Sequence, residues 1–200
     1  MDDLLFHGGD MHSFTESQRQ RARAAVEQMT PAQMNAATDE ELVANVVCRF
    51  RIEPLLVHSD QAETEHRESQ TDVSSHFDRA VLDRGQPCMV KANQITVRIP
   101  FTGEPDLFRV QPTSFTLNPP RGRVEKSGDL GGVVLISMTR PIDEDVEEFN
   151  RWMKSVVKSI EGYAATSRGD IEQFNADLVK RVRGFVSARR AQLKKQGQLL

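Results

Sequence analysis

After Pro141 the apolar residues fall into a strict alternation of short steps, and nothing else in the chain limits its fold as much. Val146, Phe149, Met153, Val156, Ile160 and Tyr163 are separated by three, four, three, four and three positions, the spacing of a heptad seam on one face of a helix. A second run, Ile171, Phe174, Leu178, Val182, Phe185 and Val186, continues in the same manner. Between them lies Ser167-Arg-Gly-Asp170, where Gly169 can end one helix and Asp170 cap the next. The expectation is an antiparallel helical hairpin over residues 142–200. Charge agrees, because Asp143, Glu144, Asp145, Glu147 and Glu148 open the first arm while Arg183, Arg189, Arg190, Lys194 and Lys195 close the second. Folding at the turn would set these ends side by side, and each set complements its own helix dipole.

The first fifty residues read as a helical segment. Ser13 and Glu16 have capping-box spacing ahead of a helix over about 15–29, Thr30-Pro31 is a cap followed by proline at the first helical position, and Thr38 with Glu41 repeats the box. Leu42, Val43, Val46, Val47 and Phe50 then line one face. Residues 51–141 read as a β-rich core: a short strand near Ile52–Val57, a polar and acidic stretch from His58 to Ser75 that is a loop or an exposed edge strand, and an alternating strand at Gln94–Ile99. Short strands are expected at Leu107–Gln111 and Ser114–Leu117, and two more flanking a hairpin loop at Ser127–Gly132. The fold class is therefore α+β, with N-terminal helices, a mostly antiparallel sheet and the C-terminal hairpin packed on it as one domain.

Twenty-six basic residues against 29 acidic ones give a net charge of -3, too even for the whole molecule to act as a basic glove for nucleic acid. The longest uninterrupted apolar run, Val133–Ile136, is far short of a membrane span, and the N-terminus has no cationic stretch followed by an apolar one, so a cytoplasmic setting without a membrane partner is expected. Two cysteines, Cys48 and Cys88, make neither a disulfide framework nor a metal knuckle and are expected as reduced core residues.

Motifs that carry chemistry are missing. No acidic residue stands two before any lysine, no glycine precedes a lysine as a phosphate-binding loop demands, and neither G-x-S-x-G nor H-E-x-x-H occurs. The densest group of metal-ligating types is His58, Asp60, Glu63, Glu65 and His66. His58, Asp60, Glu65 and His66 are the candidates for a metal-dependent enzyme, weighed against a plain polar surface segment. His7, His12 and His76 have no partner that spacing identifies and read as surface or capping groups. Trp152, beside the seam, is expected to cover the sheet, with an interface anchor as the alternative. The tail, Lys180 to Lys195, reads first as a solvated helix end and second as a contact surface through Arg181, Arg183, Arg189 and Arg190. Phe185 is the one aromatic among those residues, so base stacking has little support.

The segments Val97–Phe108, Pro112–Arg121 and Ile171–Asn175 carry a resemblance. Over roughly residues 40 to 200 the chain resembles uncharacterised bacterial regions found as N-terminal modules of multidomain defence-type proteins with TIR or nuclease effector domains. The resemblance implies a sensing, assembly or regulatory module whose chemistry resides elsewhere, and it transfers no catalytic or binding residue. Together these readings lead to a non-catalytic module that uses no cofactor and that self-associates or docks a protein partner. Nucleic-acid binding through the tail arginines and metal-dependent catalysis at residues 58–66 are the alternatives.

Overall fold

The computed structural model describes residues 3–74, 85–142 and 146–197, the side chain of Val146 excepted. Three helices open the fold. α1 (Met11–Glu27) begins earlier than Ser13 suggests, because Asp10 is the cap and accepts the Ser13 amide at 2.7 Å. α2 (Pro31–Asn35) and α3 (Asp39–Phe50) start where the sequence places them, each with a complete capping box, Thr30 with Gln33 and Thr38 with Glu41. Leu42, Val43 and Val46 turn the apolar face of α3 into the core.

The described residues form eight strands: β1 (Asp3–Leu4), β2 (Gly9–Asp10), β3 (Leu56–Val57), β4 (Glu63–Asp72), β5 (Met89–Thr102), β6 (Val110–Gln111), β7 (Arg121–Lys126) and β8 (Gly132–Pro141). Six form one sheet in the order β1-β7-β8-β5-β3, with β4 also paired to β5, and every pairing in it is antiparallel. β2 and β6 make a separate parallel pair. Residues opposite one another share a face, so the register Val97↔Ile136 and Ile99↔Val134 gathers one apolar face, which joins the core. The other face carries Thr96 and Ser137, whose hydroxyls meet at 3.0 Å, and Leu135, flanked in register by Arg98 and Arg123. β4 is the charged edge strand that the sequence offers as one of two readings; its charges blunt pairing with other chains. Leu107 and Phe108 belong to a 3-10 turn (Pro105–Arg109) and not to a strand, and residues 114–117 are not extended in any sheet. Prolines 105, 112, 119 and 120 remove the donors that a ladder there would need. At Gly103, φ is +100° and an added Cβ would sit 2.0 Å from the Pro54 carbonyl oxygen, so only glycine passes beneath the start of β3.

The C-terminal element overturns the expected hairpin. α4 (Val146–Lys195) is one helix of 50 residues with no break at Gly169, about 75 Å long at 1.5 Å per residue. The acidic and basic ends therefore lie at opposite ends of one rod and do not pair with each other. Asp143, Glu144 and Asp145 lie outside the described residues. The helix stays unbroken because its buried stripe continues past Gly169. Ile160, Tyr163, Ala164, Ser167, Ile171, Phe174, Leu178, Val182, Val186 and Leu193 are all buried. The middle of the rod packs on an aromatic cluster, with Phe6 stacked on Tyr163 at 5.1 Å and Phe108 reaching Phe6 and Phe101 at 5.3 and 4.8 Å. Its second half lies against α1 and α3. There the Arg19 guanidinium covers the Phe174 ring at 5.4 Å and Asn175 bonds both backbone groups of Ile52. Sheet and N-terminal helices thus share one hydrophobic core, with α4 as its spine.

Candidate protein-docking face

Residues 112–120, Pro-Thr-Ser-Phe-Thr-Leu-Asn-Pro-Pro, leave β6 and return to β7 along the surface of α4. With prolines at both ends the segment cannot join the sheet, and its backbone needs partners elsewhere. α4 supplies them from two side chains seven positions apart, hence on one face. Asp170 accepts the Thr113 amide at 2.9 Å and the Thr113 hydroxyl at 2.6 Å. The Tyr163 hydroxyl donates to the Thr116 carbonyl at 2.7 Å and accepts the Thr116 amide at 3.1 Å, with the Thr116 hydroxyl 3.0 Å away. Tyr163 is fixed in turn by Phe6.

The clamp ties Thr116 to α4 while the whole stretch from Thr113 to Asn118 stays exposed. Phe115 is 49% exposed and Leu117 is 96% exposed. A leucine that points into water from a tethered loop buries no apolar area in this chain, unlike the scattered half-exposed residues any surface carries. Two adjoining clefts separate the loop from the helix and share Ser159. The larger, about 380 Å³, is lined by Pro119, Pro120, Ile136, Trp152 and Val156, with Arg121 at its rim. The smaller, about 260 Å³, is bounded by Phe115, Tyr163, Gly162 and Lys158. Among the described residues no acidic side chain lines either cleft. Ser155, Ser159, Ser114 and Thr166 also line the two clefts, so the result is a step of mixed apolar and hydroxyl character with two cations in its lining, able to hold an apolar anchor with carboxylates beside it.

Trp152, expected over the sheet or at an interface, is half-buried, touches the core and forms a wall of the larger cleft. The four tail arginines are not brought together as a surface. Arg189 donates to the Met29 carbonyl at 3.0 Å, and Arg190 donates to the Ala37 carbonyl at 2.7 Å and to the Asp39 carboxylate. These two are staples between α4 and the starts of α2 and α3. Arg181 and Arg183 remain exposed on the helix.

The metal candidates do not converge. Glu65 and His66 are neighbours in β4 and so project to opposite faces. His58 lies 3.2 Å from the Thr102 hydroxyl, and Asp60 is on an exposed 3-10 turn (Ser59–Gln61). Among the described residues no group of three or more His, Cys, Asp or Glu side chains is placed to hold a metal. Both cysteines are free thiols, but Cys48 is exposed and Cys88 half-buried, so neither is a core residue. His7 and His12 are exposed, and His76 lies outside the described residues. Asp10, Glu16 and Glu41 have carboxyl groups held below their usual range, by the Ser13 amide, the Arg19 side chain and the Thr38 amide respectively. All three serve helix ends or a surface pair, and none lines a cleft described here. The loop was the segment that sequence reading missed as a site. Its signal was present in the paired prolines around Phe115 and Leu117, apolar residues with no periodic partners.

The chain thus forms a mixed helix-and-sheet protein with an antiparallel sheet and a long C-terminal helix. No family model, no curated protein and no solved structure matches the chain. Among the described residues no helix is long and apolar enough to cross a membrane.

Proposed function

We propose that the protein is a non-catalytic interaction module that docks a protein segment of apolar and acidic character on the 112–120 loop and the adjoining face of α4. The observation that carries this reading is Leu117, almost wholly exposed although Asp170 and Tyr163 hold its loop in place. Holding the loop in advance lowers the ordering cost of association. Arg121 and Lys158 at the cleft rims favour carboxylates in the partner. The resemblance to N-terminal modules of defence-type multidomain proteins points the same way, toward sensing or assembly with the chemistry supplied by another domain. The nucleic-acid reading loses Arg189 and Arg190 to internal bonds.

Trp152 is the single tryptophan and lines the larger cleft, so its fluorescence reports occupancy directly. The probes are two synthetic peptides, one with leucine and phenylalanine anchors among glutamates and one with lysines in place of the glutamates. The glutamate peptide is expected to shift the Trp152 emission in a saturable manner, and Leu117→Asp to weaken that binding by about tenfold or more with little change in melting temperature. Equal binding of both peptides, no binding of either, or full binding by Leu117→Asp would overturn the proposal.

A further inference from the structure

A third cleft, separate from the two beside the 112–120 loop, opens between α1 and α3. Its volume is about 710 Å³, within the range of roughly 300–1,000 Å³ usual for small-molecule sites. Ala24 and Ala25 on α1 and Val46 on α3 line it with short side chains, and Met29 and Phe50 add apolar area. Gln28, Gln33 and Asn45 supply carboxamides, and Arg21 and Arg49 supply charge, one from each helix.

The cations are distributed in a telling way. Away from the cleft, arginines on the same stretch of chain are paired: Arg19 with Glu16 at 3.1 Å, Arg23 with Glu27 at 2.7 Å and Arg51 with Glu53 at 3.0 Å. Arg21 and Arg49 have no ion-pair partner among the described residues, and no Asp or Glu lines the cleft. The Arg49 guanidinium carbon lies 5.3 Å from the centre of the Phe50 ring. A guanidinium presents a rigid fork matched to phosphate oxygens. Gln33 accepts the Thr30 amide through its carbonyl oxygen at 2.8 Å, so what it can offer a ligand is its NH₂ group. Gln28 and Asn45 can both donate and accept, as recognition of a heterocyclic edge requires.

We propose that the cleft between α1 and α3 binds a phosphate-bearing small molecule of nucleotide size, with Arg21 and Arg49 taking the phosphate and Gln28, Gln33 and Asn45 contacting the polar edge of the base. This site does not depend on the docking face, and its test leaves Leu117 and Trp152 untouched.

Calorimetric titration compares adenosine 5′-monophosphate, adenosine, inorganic phosphate, succinate and a short single-stranded oligonucleotide. The full chain is used, as wild type, as Arg21→Gln, as Arg49→Gln, and as Arg23→Gln, which lies outside the cleft. The monophosphate is expected to bind about tenfold or more tightly than adenosine, and either cleft substitution to remove that advantage while Arg23→Gln keeps it. In two-dimensional NMR, the Arg21 and Arg49 side-chain signals should move with the monophosphate. Succinate binding as well as the monophosphate, adenosine binding equally well, the oligonucleotide alone binding, or affinity unchanged in the cleft variants would each overturn the proposal. So would the absence of any binding in the millimolar range.

Discussion

Asn175 on α4 holds Ile52 by both of its backbone groups: its side-chain oxygen accepts the Ile52 amide at 3.1 Å and its NH₂ donates to the Ile52 carbonyl at 2.8 Å. The carboxamide thus acts as a one-residue strand, fixing the link between α3 and β3 against the spine. Asn175→Ala leaves a half-buried donor and acceptor unmet and is expected to cost about 2–3 kcal/mol in urea denaturation. Asn175→Asp keeps the acceptor but sets a carboxylate against the Ile52 carbonyl, so it should also destabilise, and more above the carboxylate range than below it. An alanine variant within about 0.5 kcal/mol of wild type would show that the pair is incidental.

Tyr163 offers a test of how the 112–120 loop is held that leaves the core intact. Tyr163→Phe retains the ring stacked on Phe6 and deletes only the hydroxyl shared with Thr116. Global stability should fall by about 1 kcal/mol, while hydrogen exchange across residues 113–118 should accelerate clearly. Asp170→Ala, which frees Thr113, should do the same from the other end of the loop. Unchanged exchange in both variants would mean that the loop is held by something other than this clamp.

The caps of α2 and α3 and the β7–β8 hairpin were legible in the sequence because each rests on local chemistry, such as the Thr38–Glu41 box or the turn glycines, whereas the cap of α1 was misplaced at Ser13 and the charged edge strand was one of two readings. The hairpin at Gly169 was misread for a physical reason. Ser167-Arg-Gly-Asp has the composition of a helix stop, yet the apolar stripe runs through it in phase, Tyr163 to Ser167 to Ile171 in four-residue steps, with a buried serine filling the seam. Phase continuity across the suspected turn was the better signal. The prolines marked the loop, but its clamp was not legible, since Thr113 and Asp170 meet only in the folded chain, with α4 continuous through Gly169. Gly169→Ala separates the two architectures. In the continuous helix an added methyl meets nothing within 4 Å, so stability should rise by about 0.5–1 kcal/mol. At the left-handed end of a hairpin arm the same change would destabilise. Ser167→Ala, which removes a buried hydroxyl with no hydrogen-bond partner among the described residues, should also raise the melting temperature.

Acid should loosen the N-terminal helices first. Asp10 and Glu41 are held below their ordinary values of 3.8 and 4.5, chiefly by the backbone amides of Ser13 and Thr38. A carboxyl with a lowered folded-state pKa stabilises the fold above its ordinary value and loses that contribution as pH falls through the folded-state value. Urea midpoints measured downward from pH 6 should therefore drop as these groups protonate, and the Asp10→Asn, Glu41→Gln double variant should show a shallower decline. An identical slope in the two proteins would assign acid sensitivity to other carboxylates.

Arg190 shows why charge at the end of a helix need not be a contact surface. It is 22% exposed as a side chain, its Nη2 bonds the Ala37 carbonyl and its Nε the Asp39 carboxylate, so it holds the start of α3 to the last turns of α4. Arg183, seven positions earlier, is exposed and makes no ion pair with a described residue. Arg190→Ala is expected to cost about 1–2 kcal/mol, part from the unmet Ala37 carbonyl and part from lost packing of the arginine stem, whereas Arg183→Ala should stay within about 0.5 kcal/mol of wild type. Thermal denaturation at low and high salt adds a check: hydrogen bonding to a carbonyl is not screened, so most of the Arg190→Ala deficit should persist at high ionic strength. A deficit that vanishes with salt would return Arg190 to the class of solvated surface charges.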